Sequence, residues 1–61
     1  MQKIVILDHS TSNVYITSYD EAIYEDVFEF IEVLNEQFDL DLKESQCNWM
    51  TSPGALTIIN L

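Results

Sequence analysis

The sequence predicts an α+β domain of ββαββ order, in which one amphipathic helix covers one face of a four-stranded antiparallel sheet. Three observations predict it. Lys3–Asp8 and Val14–Tyr19 are short β-branched and aromatic runs separated by small polar residues. Asp20–Asp41 then carries apolar residues at helical spacing. Two more apolar runs, Gln46–Thr51 and Leu56–Leu61, flank the chain's one proline and one glycine.

Lys3–Asp8 (KIVILD) is too short for a helix, and its unbroken aliphatic core suits a strand buried on both faces. His9–Asn13 is a cluster of turn-formers. In Val14–Tyr19 (VYITSY), Val14 and Ile16 share one face, and Tyr15, Thr17 and Tyr19 share the other. Two strands joined in this way form a hairpin.

At 100° per residue, Ile23, Tyr24, Val27, Ile31, Leu34 and Phe38 fall on one stripe of a helix, with Phe28 and Phe30 beside it. Ser18 or Asp20 can cap an early start, and Glu25–Phe38 is the firmest part. Asp39–Ser45 reads as a polar exit. Gln46–Thr51 is the third strand. Ser52-Pro53-Gly54-Ala55 signals a type II turn, because proline pre-sets the first central φ and glycine supplies the positive φ. Leu56–Leu61 is the last strand. The strand order expected across the sheet is 2-1-3-4.

The 61 residues make one domain, and a small one. Below about 70–80 residues a single core rarely supplies more than about 3–5 kcal/mol. One cysteine forms no internal disulfide, and no Cys/His cluster offers a structural metal site. No cofactor or metal is expected. Without a leader-like stretch or a membrane-length apolar run, the expected location is the cytoplasm. Alternation gives every strand apolar residues on both sides: Ile4 and Ile6 against Val5 and Leu7, Leu56 and Ile58 against Ile59 and Leu61. One helix roofs one side only. A homodimer with the helix-free faces packed together is therefore expected.

The net charge is −9, and ten of the eleven acids lie in Asp20–Glu44. Glu25, Glu29, Glu32 and Glu36 fall together on the helix face opposite the apolar stripe. Such a face keeps a small apolar protein dispersed in water. The competing reading is a docking surface for a basic protein partner. The alternative function, in its sharpest form, is a polyanion mimic that inhibits or regulates a basic nucleic-acid-binding partner. Direct nucleic-acid binding is disfavoured by repulsion from phosphate. Tyr15, Tyr19 and Trp49 are candidate contact residues, since aromatic side chains are enriched at interfaces. Trp49 also suits a core anchor.

Asp8-His9-Ser10 holds the letters of a hydrolase triad, but adjacent residues do not readily assemble that relay. Cys47 and His9 lack an evident oxyanion hole. A single glycine excludes a glycine-rich phosphate loop. The reading is a non-enzymatic protein-interaction module, homodimeric, with the acidic helix outward.

VILDHSTSNVYI, YED and KESQCNWM together resemble a family of short uncharacterised proteins of gut bacteria. Its Lys-Glu-Ser-x-Cys-x-Trp-Met box corresponds here to Lys43, Glu44, Ser45, Cys47, Trp49 and Met50. The chain departs from that pattern in Thr51–Leu61, which is shorter than the usual end. The resemblance implies an α+β fold and small homodimers, and it implies no activity.

Overall fold

Alternation in the first two runs produces an antiparallel hairpin whose register sorts the side chains by face. The computed structural model describes residues 1–61. In chain order it contains β1 (Gln2–Asp8), β2 (Asn13–Tyr19), α1 (Val27–Phe38), one 3-10 turn (Glu44–Gln46) and β3 (Cys47–Ser52). The sheet order is β2-β1-β3, and β1 is antiparallel to both neighbours. Ile6 stands between Tyr15 and Trp49, and Val5 between Ile16 and Met50.

The hairpin loop is pinned by Asp8. Its carboxylate accepts hydrogen bonds from the Ser10 amide (3.0 Å), the Ser10 hydroxyl (2.7 Å) and the Thr11 hydroxyl (2.8 Å). These donors satisfy a carboxylate that is only 3% exposed. Ser12 takes the left-handed conformation (φ 59°) that closes the loop.

The helix is shorter than the periodicity suggests. Two aspartates compete to cap it. Asp20 accepts from the Ala22 amide (3.0 Å), and its carbonyl accepts from the Ile23 and Tyr24 amides, which makes a separate turn. Asp26 is extended (φ −153°) and accepts from the Glu29 amide (2.9 Å), so α1 begins at Val27. Ile23 therefore lies off the helix and is exposed. The buried seam is Phe30, Ile31 and Leu34, with Val27 half-buried. Phe38, placed on the stripe by periodicity, is 64% exposed.

Ile4, Ile6, Tyr19 and Cys47 meet this seam from the sheet. Tyr19, Tyr24 and Phe30 form an aromatic trio, with Phe30 edge-on to both tyrosines at 5.1 and 4.9 Å. Leu42, expected in a polar exit, is buried in the core.

Two expectations about the sheet are also corrected. The sheet has three strands, because Gly54 does not adopt positive φ and the type II turn does not form. The Gly54 amide donates to Ser52 Oγ instead (3.3 Å), and Ala55–Leu61 has no regular secondary structure. Moreover, β1 is not buried on both faces. Ile4 and Ile6 are fully covered by the helix side, whereas Leu7 on the opposite side is exposed.

Candidate functional site

The helix-free face of the sheet is built from the positions that alternation turns away from α1. Lys3, Val5 and Leu7 of β1 lie beside Val14, Ile16 and Ser18 of β2 and Asn48, Met50 and Ser52 of β3. Lys3 Nζ donates to Ser18 Oγ across this face (3.1 Å). Leu7, Val14, Ile16 and Met50 are each between 40% and 59% exposed, and Val5 is half-buried at their centre. No acid occupies any of these positions, although the chain has eleven. The apolar centre of the face is therefore Val5, Leu7, Val14, Ile16 and Met50, with Lys3, Ser18 and Ser52 at one end and Asn48 at the other.

A groove of about 390 Å³ adjoins it along the free edge of β2. Val14 and Ile16 flank it on the open side of the sheet; Leu34, Phe38 and Leu40 flank it on the helix side.

The sequence-predicted contact residues are divided by the fold. Tyr19 is buried in the core. Burial and the nearby charges of Asp26, Glu21 and Glu29 push its phenol pKa up. Trp49 is half-buried on the helix side and meets Phe28 edge-on (5.2 Å, 89°). Tyr15 is half-buried at the groove, with its hydroxyl 3.2 Å from the Asn13 amide group. None of the three lies on the open sheet face.

The acidic ladder is altered as well. Glu25 precedes the helix, and the Glu29 carboxylate turns back to accept from the Glu25 amide (2.9 Å). Glu29 therefore serves the helix start. Glu32 and Glu36 are exposed steps of the ladder.

The residues with catalytic potential are likewise separated. Asp8 is bonded to Ser10 and Thr11 rather than to His9. His9 Nε2 instead lies 2.7 Å from Asn48 Oδ1. The Cys47 thiol is buried, and burial first, then the charge of Asp8, push its pKa up. A protonated thiol is a poor nucleophile. No three potential metal ligands are grouped, and no helix is long and apolar enough to cross a membrane.

No family model, curated protein or solved structure matches the chain. In the Lys43–Met50 box, Lys43 precedes the 3-10 turn, Glu44 and Ser45 lie in it, and Cys47, Trp49 and Met50 lie in β3. There the Gln46 carbonyl accepts from the His9 amide (2.9 Å), tying the box to the hairpin loop.

Sequence reasoning did not find the groove. Its parts come from β2, α1 and the chain after it, and only the packed fold brings them together.

Proposed function

We propose that the protein is a non-enzymatic interaction module that works as a homodimer, with the helix-free sheet faces packed together. One observation carries this reading: five apolar side chains and no acid occupy the open face of a chain with net charge −9. Burying a fully exposed aliphatic side chain contributes about 1.5–3 kcal/mol, and Leu7, Val14, Ile16 and Met50, 40–59% exposed, have about half of that still to gain. Several such side chains from each copy rival the about 3–5 kcal/mol that a core of this size supplies. Face-to-face packing also leaves both acidic helices on the outside, where water screens their repulsion. The acidic helix is then the surface that a basic partner protein would meet.

Sedimentation velocity on the full chain tests the reading. A dimer is expected that dissociates on dilution through the micromolar range. Met50→Asp puts a charge into the packed face and is expected to give a folded monomer. A wild-type chain that stays monomeric at about 100 µM, where association is weaker than about 5.5 kcal/mol, overturns the reading.

A further inference from the structure

We propose that Leu56–Leu61 of one copy docks as an added strand along the free edge of β2 in the second copy. The proposal rests on the dimer reading, since the second copy supplies the segment. Ala55–Leu61 is uncharged, as is β2, in a chain that is otherwise strongly acidic. Ile58 and Ile59 are 68% and 74% exposed, so the segment's aliphatic side chains are largely unburied within a single copy.

In an extended strand, Leu56 and Ile58 face one way, and Ile59 and Leu61 the other. Such a segment needs an edge that is apolar on both flanks. The β2 edge is: Val14 and Ile16 lie on one side of it, and Leu34, Phe38 and Leu40 on the other. The free edge also offers backbone donors and acceptors, the usual basis of strand addition. The chain's own β3 edge is a poorer match, because polar Asn48 and Ser52 flank it on the open side.

Reach selects the second copy. Two packed sheets lie about 10 Å apart. With the dimer axis parallel to the strands, β3 of one copy lies over β2 of the other. The path from Ser52 to the outer edge of the partner's β2 is then about 11 Å. Four chain steps, from Ser52 to Leu56, cover up to about 14 Å, so Leu56 is the first residue that lies on that edge. The same steps would have to be fully taut to reach the copy's own β2 edge, three strand spacings of about 4.8 Å away. The Gln2–Glu21 hydrogen bond (2.9 Å) also stands at that end of the sheet. Direction agrees too. β2 ends at Tyr19 opposite Gln2, the end at which Ser52 pairs with Lys3. A segment leaving Ser52 therefore runs antiparallel to the partner's β2. The fourth strand expected from sequence would form between copies.

At about 60–120 Å² of apolar surface per aliphatic side chain, two reciprocal dockings and the grooves they cover bury on the order of 1,500 Å². Stable interfaces bury about 1,200–2,000 Å².

Isotope-filtered NOE spectra on a mixture of ¹³C-labelled and unlabelled full chain test the docking, with sedimentation on the same sample reporting the dimer. Cross-copy NOEs from Ile58 or Ile59 to Phe38 or Leu40 are expected. The exposed substitution Ile59→Asp is expected to abolish them and to raise the dimer Kd about tenfold or more. A dimer whose cross-copy NOEs join only Val5, Leu7 and Met50 overturns the docking and leaves the dimer reading standing. A monomer overturns both. NOEs from Ile58 or Ile59 confined to their own copy overturn the docking.

Discussion

Asn35 and Leu42 exchange two hydrogen bonds: the Asn35 side-chain amide donates to the Leu42 carbonyl (2.9 Å), and the Leu42 amide donates to Asn35 Oδ1 (2.8 Å). The carboxamide thereby acts as a short piece of strand backbone. It fixes the path by which the chain leaves α1 and seats Leu42 in the core. It also satisfies both polar groups of a residue that lies between helix and strand and has no ladder of its own.

Asn35→Ala removes both bonds and leaves the Leu42 backbone groups part-buried without partners. The expected loss is about 1–3 kcal/mol, at about 0.5–1.5 kcal/mol per bond. That is a large share of the stability a chain of this size has. Urea unfolding followed by Trp49 fluorescence measures it. An unchanged midpoint would show that water replaces the amide at no cost.

Asp8 makes stability depend on acid. The Ser10 hydroxyl first, then the Thr11 hydroxyl, hold its carboxyl below its ordinary value of 3.8, against the opposing effect of burial. A carboxylate with a depressed folded pKa contributes stability above its unfolded pKa. That contribution is lost as pH falls through the folded value. Wild type is therefore expected to lose stability relative to Asp8→Asn as pH drops below about 4, and to hold its advantage at neutral pH. Comparing the two in urea also cancels the titration of the remaining acids. A difference that does not change between about pH 6 and about pH 3 contradicts the assignment.

Much of this fold is legible in the residues, and the failures have physical causes. Period-two alternation in β1 and β2 identifies the hairpin and apolar side chains on both faces of the sheet, but not which face α1 covers, because both faces of β1 are aliphatic. The helix start is misleading because Asp20 and Asp26 both offer a carboxylate cap, while Ile23 and Tyr24 happen to be in phase with Val27. The final hairpin is misleading because Pro53-Gly54 signals a turn only if glycine takes positive φ, and Gly54 does not. The Asn35–Leu42 exchange has no local signature, since an asparagine within a helix commonly just faces water. For the same reason Asp39–Ser45 reads as polar, although the Asn35 carboxamide anchors Leu42 in its midst.

Cys47 is expected to be inert in the native chain. Its thiol is buried and its pKa is pushed up by that burial. Alkylation then requires opening of the fold. With stability of up to about 3–5 kcal/mol, native labelling should run about 10²–10⁴-fold slower than labelling in urea. Mass spectrometry against time measures both rates. Native labelling within about threefold of the unfolded rate would show that the β3 end of the sheet opens locally.

Salt should stabilise this protein. Glu29, Glu32 and Glu36 repel along α1, and no base lies in its last turn. Like-charged neighbours at this spacing cost about 0.2–0.5 kcal/mol per pair. Screening shortens their reach to about 8 Å at physiological ionic strength. The melting temperature is expected to rise on adding moderate NaCl, and a fall would contradict the repulsion.

Asp39 concentrates two unfavourable terms at the end of α1. Its backbone is left-handed (φ 54°, ψ 45°), while its amide caps the Asn35 carbonyl. Left-handed geometry costs most side chains about 1–2 kcal/mol, and aspartate somewhat less. Its charge also sits at the negative end of the helix dipole, which costs about 0.3–1 kcal/mol. Asp39→Asn removes the charge and keeps the tolerance for this conformation, so it isolates the dipole term. Asp39→Gly relieves the backbone as well, but glycine frees the unfolded chain by about 0.4–1 kcal/mol. The two backbone effects largely offset each other. Both variants are therefore expected to gain about 0.3–1 kcal/mol, with most of the gain already present in Asn. A clearly larger gain in Gly would assign the cost to backbone strain instead. A loss in both would mean that the Asp39 carboxylate holds a bond that its charge penalty conceals.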